Sequence, residues 1–145
     1  MRATANPDCF MADVDNPDWL DRIAWDDQGL VPAITQSAET DRVLTLAWMN
    51  RESLAATVTS GYATYWSRSR AQLWRKGETS GNLQRIVQIA LDCDNDAVLL
   101  RVEQIGGAAC HTGRESCFFQ VLTDGHWATA DPILKDPRQM YGLHE

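Results

Sequence analysis

Hydrophobic and polar residues follow one another in short stretches along this chain, in a pattern typical of β-strands. Residues 43–49 are rich in β-forming side chains and predict one strand. Further strands are predicted at residues 62–66, 83–92, 97–104 and 117–122. Tight turns are predicted at residues 94–96 (Asp-Asn-Asp) and at the pair Gly106-Gly107. Because short connections favour antiparallel neighbours, the pattern predicts mostly antiparallel sheets.

Two segments carry the signals of short helices. Residues 16–18 are Asn-Pro-Asp, a helix-start signal, and an apolar stripe follows them as far as an Asp-Asp-Gln-Gly sequence. Asn50 can cap a second helix that runs through Ser60, with Gly61 as its C-terminal stop. The expected fold class is therefore α+β and β-rich, with one or two short helices.

Length and composition are those of a single globular domain spanning residues 1–145. Apolar residues make up 44% of the chain and charged residues 23%, which is ordinary for a soluble protein. The sequence has no apolar run of membrane-spanning length and no secretory signal at its start, so we expect a cytoplasmic protein without membrane association. Residues 1–15 are polar and aperiodic, which predicts a flexible arm, and irregular structure is expected after Trp127.

The charge of the chain is unevenly distributed. Its net charge of −7 argues against binding to nucleic acid. Between Arg68 and Arg85, however, the chain has five cations and a single acid, Glu78. A basic island in an acidic protein indicates a small anionic ligand.

The basic island contains hydroxyls, guanidiniums and glycine-flanked amides, a combination that suits phosphate. The candidate substrate-binding residues are Trp66, Ser67, Arg68, Ser69, Arg70, Arg75, Lys76, Thr79 and Ser80. Tryptophan can stack on a base, although it lies more often in a hydrophobic core. A solvated hairpin with a basic outer face remains the alternative.

Four cysteines are present, and three of them, Cys93, Cys110 and Cys117, lie within 25 residues beside polar sequence. Reduced, buried cysteines are the ordinary alternative in a cytosolic chain, but this setting favours zinc. Three thiolates leave a fourth zinc position open for water, as hydrolytic chemistry requires. His111 adjoins Cys110 and could take a proton from that water, act as a fourth zinc ligand that closes the site, or be a surface group.

The segment 92–96 presents three carboxylates, Asp92, Asp94 and Asp96, next to the Cys93 thiol. Strand alternation would place Val87 and Cys93 on one face and the carboxylates on the other, where they suit magnesium. A calcium-binding loop is disfavoured because Ala97 occupies the position that requires glycine. A solvated acidic turn remains as consistent with the spacing as a metal site.

From about Trp19 to Leu122 the sequence closely resembles the phosphoribosyl-AMP cyclohydrolase family. The matching stretches are residues 46–52 (LAWMNRE), 63–70 (ATYWSRSR), 73–82 (LWRKGETSGN), 92–94 with Asp96, 109–113 (ACHTG) and 116–118 (SCF). Among them, the long string at 74–82 is very specific.

This resemblance implies a homodimer with zinc sites at the subunit interface, in which one chain provides Cys93 and the other provides Cys110 and Cys117. It also implies magnesium at Asp92, Asp94 and Asp96.

The implied reaction is zinc-dependent hydrolysis of the N1–C6 bond in the adenine ring of 1-(5-phosphoribosyl)-AMP, in histidine biosynthesis. It yields the ring-opened formimino aminoimidazole carboxamide ribotide, and His111 would take the proton from the attacking water.

Two other classes of protein remain open. One is a structural zinc module that binds a partner. The other is a zinc nucleotide deaminase, which is disfavoured because the sequence has neither His-x-Glu nor Pro-Cys-x-x-Cys.

Overall fold

The computed structural model describes residues 18–141, so the arm predicted at residues 1–15 lies outside the described part of the chain. The described helices are α1 (Asp18–Asp21), α2 (Arg51–Ser60) and α3 (Pro137–Tyr141). The strands are β1 (Val31–Ser37), β2 (Val43–Met49), β3 (Thr64–Ser67), β4 (Gln72–Arg75), β5 (Gln84–Leu91), β6 (Val98–Gln104), β7 (Gln120–Thr123) and β8 (His126–Thr129). The β-rich prediction is confirmed, whereas the predicted helix count of one or two is too low for residues 18–141.

A four-stranded sheet in the order β2-β1-β6-β5 forms the centre of the fold. Its β1–β2 and β5–β6 pairs are antiparallel, and its β1–β6 pair is parallel. Two further antiparallel hairpins, β3–β4 and β7–β8, complete the strands. The prediction of mostly antiparallel sheets is therefore confirmed, with the central β1–β6 pair as the exception.

Strand β1 lies inside the sheet, yet the hydrophobic pattern did not predict it. Its alternate residues Val31, Ala33, Thr35 and Ser37 are buried. Two of these four are polar, and Pro32 interrupts the run, a residue that usually argues against a central strand. The buried Thr35 hydroxyl is satisfied by a hydrogen bond with the hydroxyl of Thr45 on β2. Strand β1 therefore forms because it pairs with its neighbours in the folded chain, and its own sequence pattern does not indicate it.

Strand β5 departs from simple alternation because its pairing with β6 shifts register between Ile86 and Gln88. Ile86 is buried and Ile89 packs against the core, while Val87 between them is 37% exposed. The shift is typical of a β-bulge, which turns the following side chains over. The predicted common face for Val87 and Cys93 is thus wrong, since Cys93 lies in the turn after β5.

The secondary structure from Cys117 onward differs most from the prediction. Cys117 and the two residues after it lie outside β7, so the strand predicted at residues 117–122 begins too early. Strand β8 and helix α3 occupy the tail, where irregular structure was predicted. Every residue of β7 and β8 is exposed, so this hairpin adds no buried side chain to the core of a single chain. No helix within residues 18–141 is long and apolar enough to cross a membrane.

The capping signals of α2 are confirmed. The Asn50 side chain accepts a hydrogen bond from Ser53 N at 2.8 Å, and Ser53 Oγ accepts one from Asn50 N at 2.9 Å. At the other end, Gly61 has φ = 81° and donates its N–H to Thr57 O at 2.9 Å. Thr57 Oγ1 in turn accepts a hydrogen bond from Thr64 N at 2.9 Å, which joins the helix to β3.

Replacing the cap tests how much this helix contributes to the fold. We expect Asn50→Ala to lower the free energy of unfolding by about 1 kcal/mol, because the Ser53 amide loses its acceptor. Asn50→Asp keeps a side-chain acceptor and is expected to remain within about 0.5 kcal/mol of wild type. Urea denaturation followed by circular dichroism measures both variants. Equal stability of the two variants would show that the cap contributes nothing.

Candidate active site

The β3–β4 hairpin, the loop after it and the Cys110–Cys117 loop enclose an open groove of about 1220 Å³. Strand β2 contributes Thr45, Leu46 and Ala47 to its walls, and the start of α3 contributes Pro137 and Arg138. The candidate residues that line the groove are Ser67, Ser69, Arg70, Arg75, Lys76, Thr79, Ser80, His111 and Cys117. The fold therefore brings most of the predicted substrate set together with the predicted proton acceptor and one predicted zinc ligand.

A second, smaller cavity of about 620 Å³ adjoins the groove and contains the other two substrate candidates, Trp66 and Arg68. Its walls share Ser67, Ser69 and Trp74 with the groove. The Arg68 guanidinium lies 4.5 Å from the centroid of the Trp48 ring, a distance typical of a cation–π contact. Arg68 is thus held against an aromatic ring beside the groove.

The β3–β4 hairpin carries the basic island and is anchored to the core from below. Tyr65 is 1% exposed, and its hydroxyl donates to Gln84 Oε1 at 2.6 Å. Burial raises the Tyr65 pKa, so this group remains a neutral donor. Trp74 packs against Tyr65 with ring centroids 5.2 Å apart, and it is partly buried at the edge of the hydrophobic core. Of the two alternatives for the tryptophans, core packing is observed for Trp74, which also lines the groove.

Lys76 is the buried cation of the groove. Its backbone N–H donates to Ala63 O at 3.0 Å, which extends the hairpin by one residue. Only 8% of the residue is exposed, and this burial lowers the pKa of its amine, while the nearby Cys117 and Cys110 thiols act in the opposite direction. Gly77 follows with φ = 86°, and a Cβ there would lie 2.4 Å from Asn82 C. Glycine is required at this position because the loop folds back on itself.

The Cys110–Cys117 loop is fastened to the edge of β2. Cys117 N donates to Leu44 O at 2.8 Å, and Ser116 Oγ donates to Val43 O at 2.8 Å. Within the loop, Cys110 N donates to Arg114 O at 3.1 Å. Beyond Cys117, Phe118 N donates to Ser116 Oγ at 2.9 Å and Phe119 O accepts from Ala130 N at 2.7 Å, so residues 117–119 do not form the predicted strand.

The two thiols of this loop are neighbours. Desolvation by the surrounding walls raises the pKa of Cys117 to about 12, and the adjacent Cys110 thiol adds to the effect. Lys76 acts in the opposite direction, and Thr112 Oγ1 donates to Cys110 Sγ at 3.1 Å. Two soft donors side by side fit a thiophilic divalent cation such as zinc.

Cys93 is not part of this cluster within one chain. It lies in the β5–β6 turn and is exposed, as Cys117 is, whereas Cys110 is buried. Among residues 18–141 of a single chain, no three His, Cys, Asp or Glu side chains are placed to hold a metal ion. One chain therefore brings two of the three predicted zinc ligands together.

The acidic turn likewise does not converge in one chain. Asp92 Oδ1 accepts a hydrogen bond from Asp96 N at 2.9 Å, and this bond lowers the Asp92 pKa. The neighbouring Asp92 carboxylate raises the Asp96 pKa. Asp94 is exposed between them. Within the described residues, these carboxylates lie outside both cavities and resemble the solvated-turn alternative.

An ion-pair network that the sequence pattern did not predict links the Cys110–Cys117 loop to Arg42 and Asp131. Arg42 Nη1 donates to Glu115 Oε1 at 2.8 Å, and Nη2 donates to Asp131 Oδ1 at 2.8 Å. Arg114 Nε donates to Asp131 O at 3.0 Å. The hydrogen bond from Arg42 lowers the pKa of the Asp131 carboxyl. Contacts across such long sequence separations leave no signal in the local pattern.

Several groove residues were also not predicted: Thr45, Tyr65, Gln72, Glu78, Pro137 and Arg138. Glu78 and Tyr65 lie within motif stretches and could have been included on that ground. Pro137 and Arg138 lie in the tail, where the sequence offered no comparable signal.

A groove that combines four cations with adjacent thiols and a histidine is suited to be an enzyme site for a small anion. The model of the phosphoribosyl-AMP cyclohydrolase family matches residues 45–119, more than half of the chain. This stretch contains the hairpin, the acidic turn and the Cys110–Cys117 loop. The chain therefore belongs to the phosphoribosyl-AMP cyclohydrolase family and is a hydrolase.

Curated relatives extend the match to nearly the whole chain. The phosphoribosyl-AMP cyclohydrolase of Marinobacter nauticus is 61% identical over 131 residues, which cover 90% of this chain and 95% of the relative. That of Thioalkalivibrio sulfidiphilus is 61% identical over 127 residues, covering 88% and 97%. That of Methylococcus capsulatus is 60% identical over 124 residues, covering 86% and 97%.

A glycine in the Cys110–Cys117 loop gives a direct test of how closely the tail approaches it. Gly113 has φ = 89°, and a Cβ there would lie 1.9 Å from Lys135 O. Gly125 has a similar φ of 80° but no heavy atom within 4 Å of the same position. Both Gly→Ala changes carry the left-handed backbone penalty of about 1–2 kcal/mol, and only Gly113→Ala adds a clash with backbone.

We expect Gly113→Ala to lower the unfolding free energy by at least about 2 kcal/mol more than Gly125→Ala. Thermal and urea denaturation of the two variants measure this difference. Equal destabilisation would mean that the tail does not pack closely on the loop.

Proposed function

We propose that this chain hydrolyses the N1–C6 bond in the adenine ring of 1-(5-phosphoribosyl)-AMP, and thereby acts in histidine biosynthesis. The product is the ring-opened formimino aminoimidazole carboxamide ribotide. The observation that carries the proposal is the single groove lined by the basic island, His111 and Cys117. Membership of the phosphoribosyl-AMP cyclohydrolase family supports the same substrate and reaction.

The groove suits the proposed substrate in charge and size. The substrate carries two phosphate groups, and Arg70, Arg75 and Lys76 line the groove beside the hydroxyls of Ser67, Ser69, Thr79 and Ser80. Guanidinium groups bind phosphate oxygens through two parallel hydrogen bonds, which also orients the ligand. A groove of about 1220 Å³ is large enough for a nucleotide with a second phosphoribosyl group. Trp66 and Arg68 extend the binding surface into the adjoining cavity.

Zinc dependence is part of the proposal. Cys110 and Cys117 would be two ligands, and Cys93 of a second copy of the chain would be the third. Burial and the adjacent Cys110 thiol raise the Cys117 pKa, and Lys76 offsets them only in part. When bound, zinc supplies a Lewis acid that lowers the pKa of water.

His111 is proposed to accept the proton of the attacking water. It lines the groove and is exposed, so an imidazole nitrogen can reach a ligand bound there. The water oxygen bonds to C6 as one water proton passes to His111. The N1–C6 bond then breaks, its electron pair stays on N1, and N1 takes the proton held by His111. The remaining hydroxyl proton moves to the exocyclic nitrogen, so C6 becomes a carboxamide and no ammonia is released.

Magnesium at Asp92, Asp94 and Asp96 stays a prediction from the family resemblance. The three carboxylates do not converge within one chain, and Asp92 is engaged with the Asp96 amide. We therefore assign no step of the reaction to this turn.

We propose a homodimer because the chain exposes an apolar surface that a second copy could cover. Phe118, Val121, Leu122 and Trp127 on and beside the β7–β8 hairpin are 54%, 48%, 59% and 70% exposed. An isolated two-stranded hairpin is marginally stable in water, so this one is expected to pack on a partner surface. A second copy would also supply the missing thiol. Because zinc thiolates require reduced cysteines, the cytoplasm is the proposed compartment.

Zinc content and turnover measured together test the proposed function. We expect purified protein to contain about one zinc ion per chain and to open the ring of phosphoribosyl-AMP. Chelation should abolish turnover, and added zinc should restore it. Bound zinc without turnover, even with magnesium supplied, would favour a structural zinc module. Release of ammonia would favour a deaminase.

The role of His111 can be separated from that of a metal ligand. We expect His111→Ala to lower kcat by about 10²–10⁴-fold, the usual contribution of a general base, while zinc content stays at the wild-type level. Cys117→Ser is the matched control, because removal of a zinc ligand lowers both zinc content and kcat. Loss of zinc from His111→Ala would identify it as a ligand, and unchanged kcat would remove it from the mechanism.

A further inference from the structure

The C-terminal segment 134–140, called the strap below, joins the two loops of the candidate active site. Leu134 N and Lys135 N both donate to Gly113 O, at 2.8 Å and 3.2 Å. This fastens the strap to the loop that carries His111 and Cys117. The close approach at Gly113, where a Cβ would meet Lys135 O, shows how tightly the two backbones pack.

The other anchor of the strap is Asn82, at the end of the loop that follows the basic hairpin. Lys135 Nζ donates to Asn82 Oδ1 at 2.9 Å, and Asn82 Nδ2 donates to Met140 Sδ at 3.0 Å. Asn82 is 1% exposed and Met140 is 8% exposed, so both partners of this contact are buried. The strap is therefore held at both of its ends, and what lies between them has a defined position.

Between these anchors, the strap presents Arg138 to the groove. Pro137 and Arg138 line the groove together with Arg70, Arg75 and Lys76. Asp136 orients Arg138, because its carboxylate accepts hydrogen bonds from Arg138 Nε at 3.3 Å and Nη2 at 3.0 Å. These contacts use one edge of the guanidinium, and Nη1 takes no part in them. A cation is thus held in the groove by an element separate from the hairpin.

We propose that Arg138 is a further substrate-binding residue, which binds a phosphate group of the substrate from a part of the chain separate from the β3–β4 hairpin, and that the strap positions it. This inference rests on the proposed function. A substrate with two phosphates needs cations at two places, and the hairpin and its loop supply Arg70, Arg75 and Lys76 from one continuous stretch of chain. Arg138 supplies a further cation from the tail, and Glu78 is the only acid among the described residues that line the groove.

Steady-state kinetics of the full-length protein with phosphoribosyl-AMP tests this role. We expect Arg138→Ala to raise KM about three- to tenfold with kcat within about twofold of wild type, as for loss of one solvent-exposed phosphate contact. Arg138→Lys keeps the charge and should recover part of the increase. Arg22→Ala is the matched control, since Arg22 is exposed and lies outside the groove lining. It should leave KM unchanged.

The positioning role of the strap is tested by removing its anchor. Lys135→Met loses the bond to Asn82 and is expected to raise KM by a similar factor. In the Lys135→Met background, Arg138→Ala should then add less than its own single effect, because the two changes act on one contact. Independent, multiplicative effects would overturn the positioning role.

A binding measurement keeps this inference distinct from the proposed function. Titration with 5′-AMP, followed by tryptophan fluorescence, should show weaker binding for Arg138→Ala than for Arg22→Ala by the same three- to tenfold factor, on the order expected for a lost phosphate contact. Absence of wild-type turnover with intact 5′-AMP binding would reject the proposed reaction alone. Equal KM and equal 5′-AMP binding in the two variants would overturn the role of Arg138, whose pairing with Asp136 would then serve only the strap.

Discussion

The attachment of the Cys110–Cys117 loop to the edge of β2 is the constraint on which the candidate site depends. Two hydrogen bonds, from Cys117 N to Leu44 O and from Ser116 Oγ to Val43 O, fix the loop where the sheet ends. Arg42, one residue before β2, reinforces the same junction through Glu115 and Asp131. Because β3 also packs beside β2, the loop comes to face the β3–β4 hairpin across a groove. This junction sets where the thiols and His111 lie relative to the basic island.

Below the groove, the core is more polar than its position suggests. Thr35, Thr45, Gln84 and Asn82 are all buried, and each has a hydrogen-bond partner among the described residues. Satisfied polar groups of this kind constrain a structure to one arrangement, since any other packing would leave a buried donor or acceptor unpaired. The Tyr65 hydroxyl connects this layer to the hairpin through Gln84. The groove therefore has a rigid floor, which suits a site that must hold two phosphates and a ring in fixed relation.

Two features of the single chain, the thiol pair and the β7–β8 hairpin, are incomplete, and a second copy of the chain would complete both. The thiol pair lacks a third soft ligand within residues 18–141, and the β7–β8 hairpin exposes its apolar side chains without a surface to cover them. A second copy of the chain would answer both needs, one through Cys93 and the other through burial of the hairpin. The proposed zinc site and the proposed dimer are thus linked, and loss of one is expected to affect the other.

The amino-acid sequence by itself determined the elements whose signals are local. Helix α2 follows its predicted cap and stop at Asn50 and Gly61, and β2 coincides with its apolar run, because capping and β-propensity act over a few neighbouring residues. The motif residues likewise identified most of the groove and the family. Only the tertiary structure decided β1, β8 and the strap with Arg138. Strand β1 has polar inward positions that become favourable only when Thr45 pairs with Thr35, and Arg138 reaches the groove only because Gly113 and Asn82 hold the tail. Such contacts join residues far apart in sequence, and their energies exist only once the chain has folded.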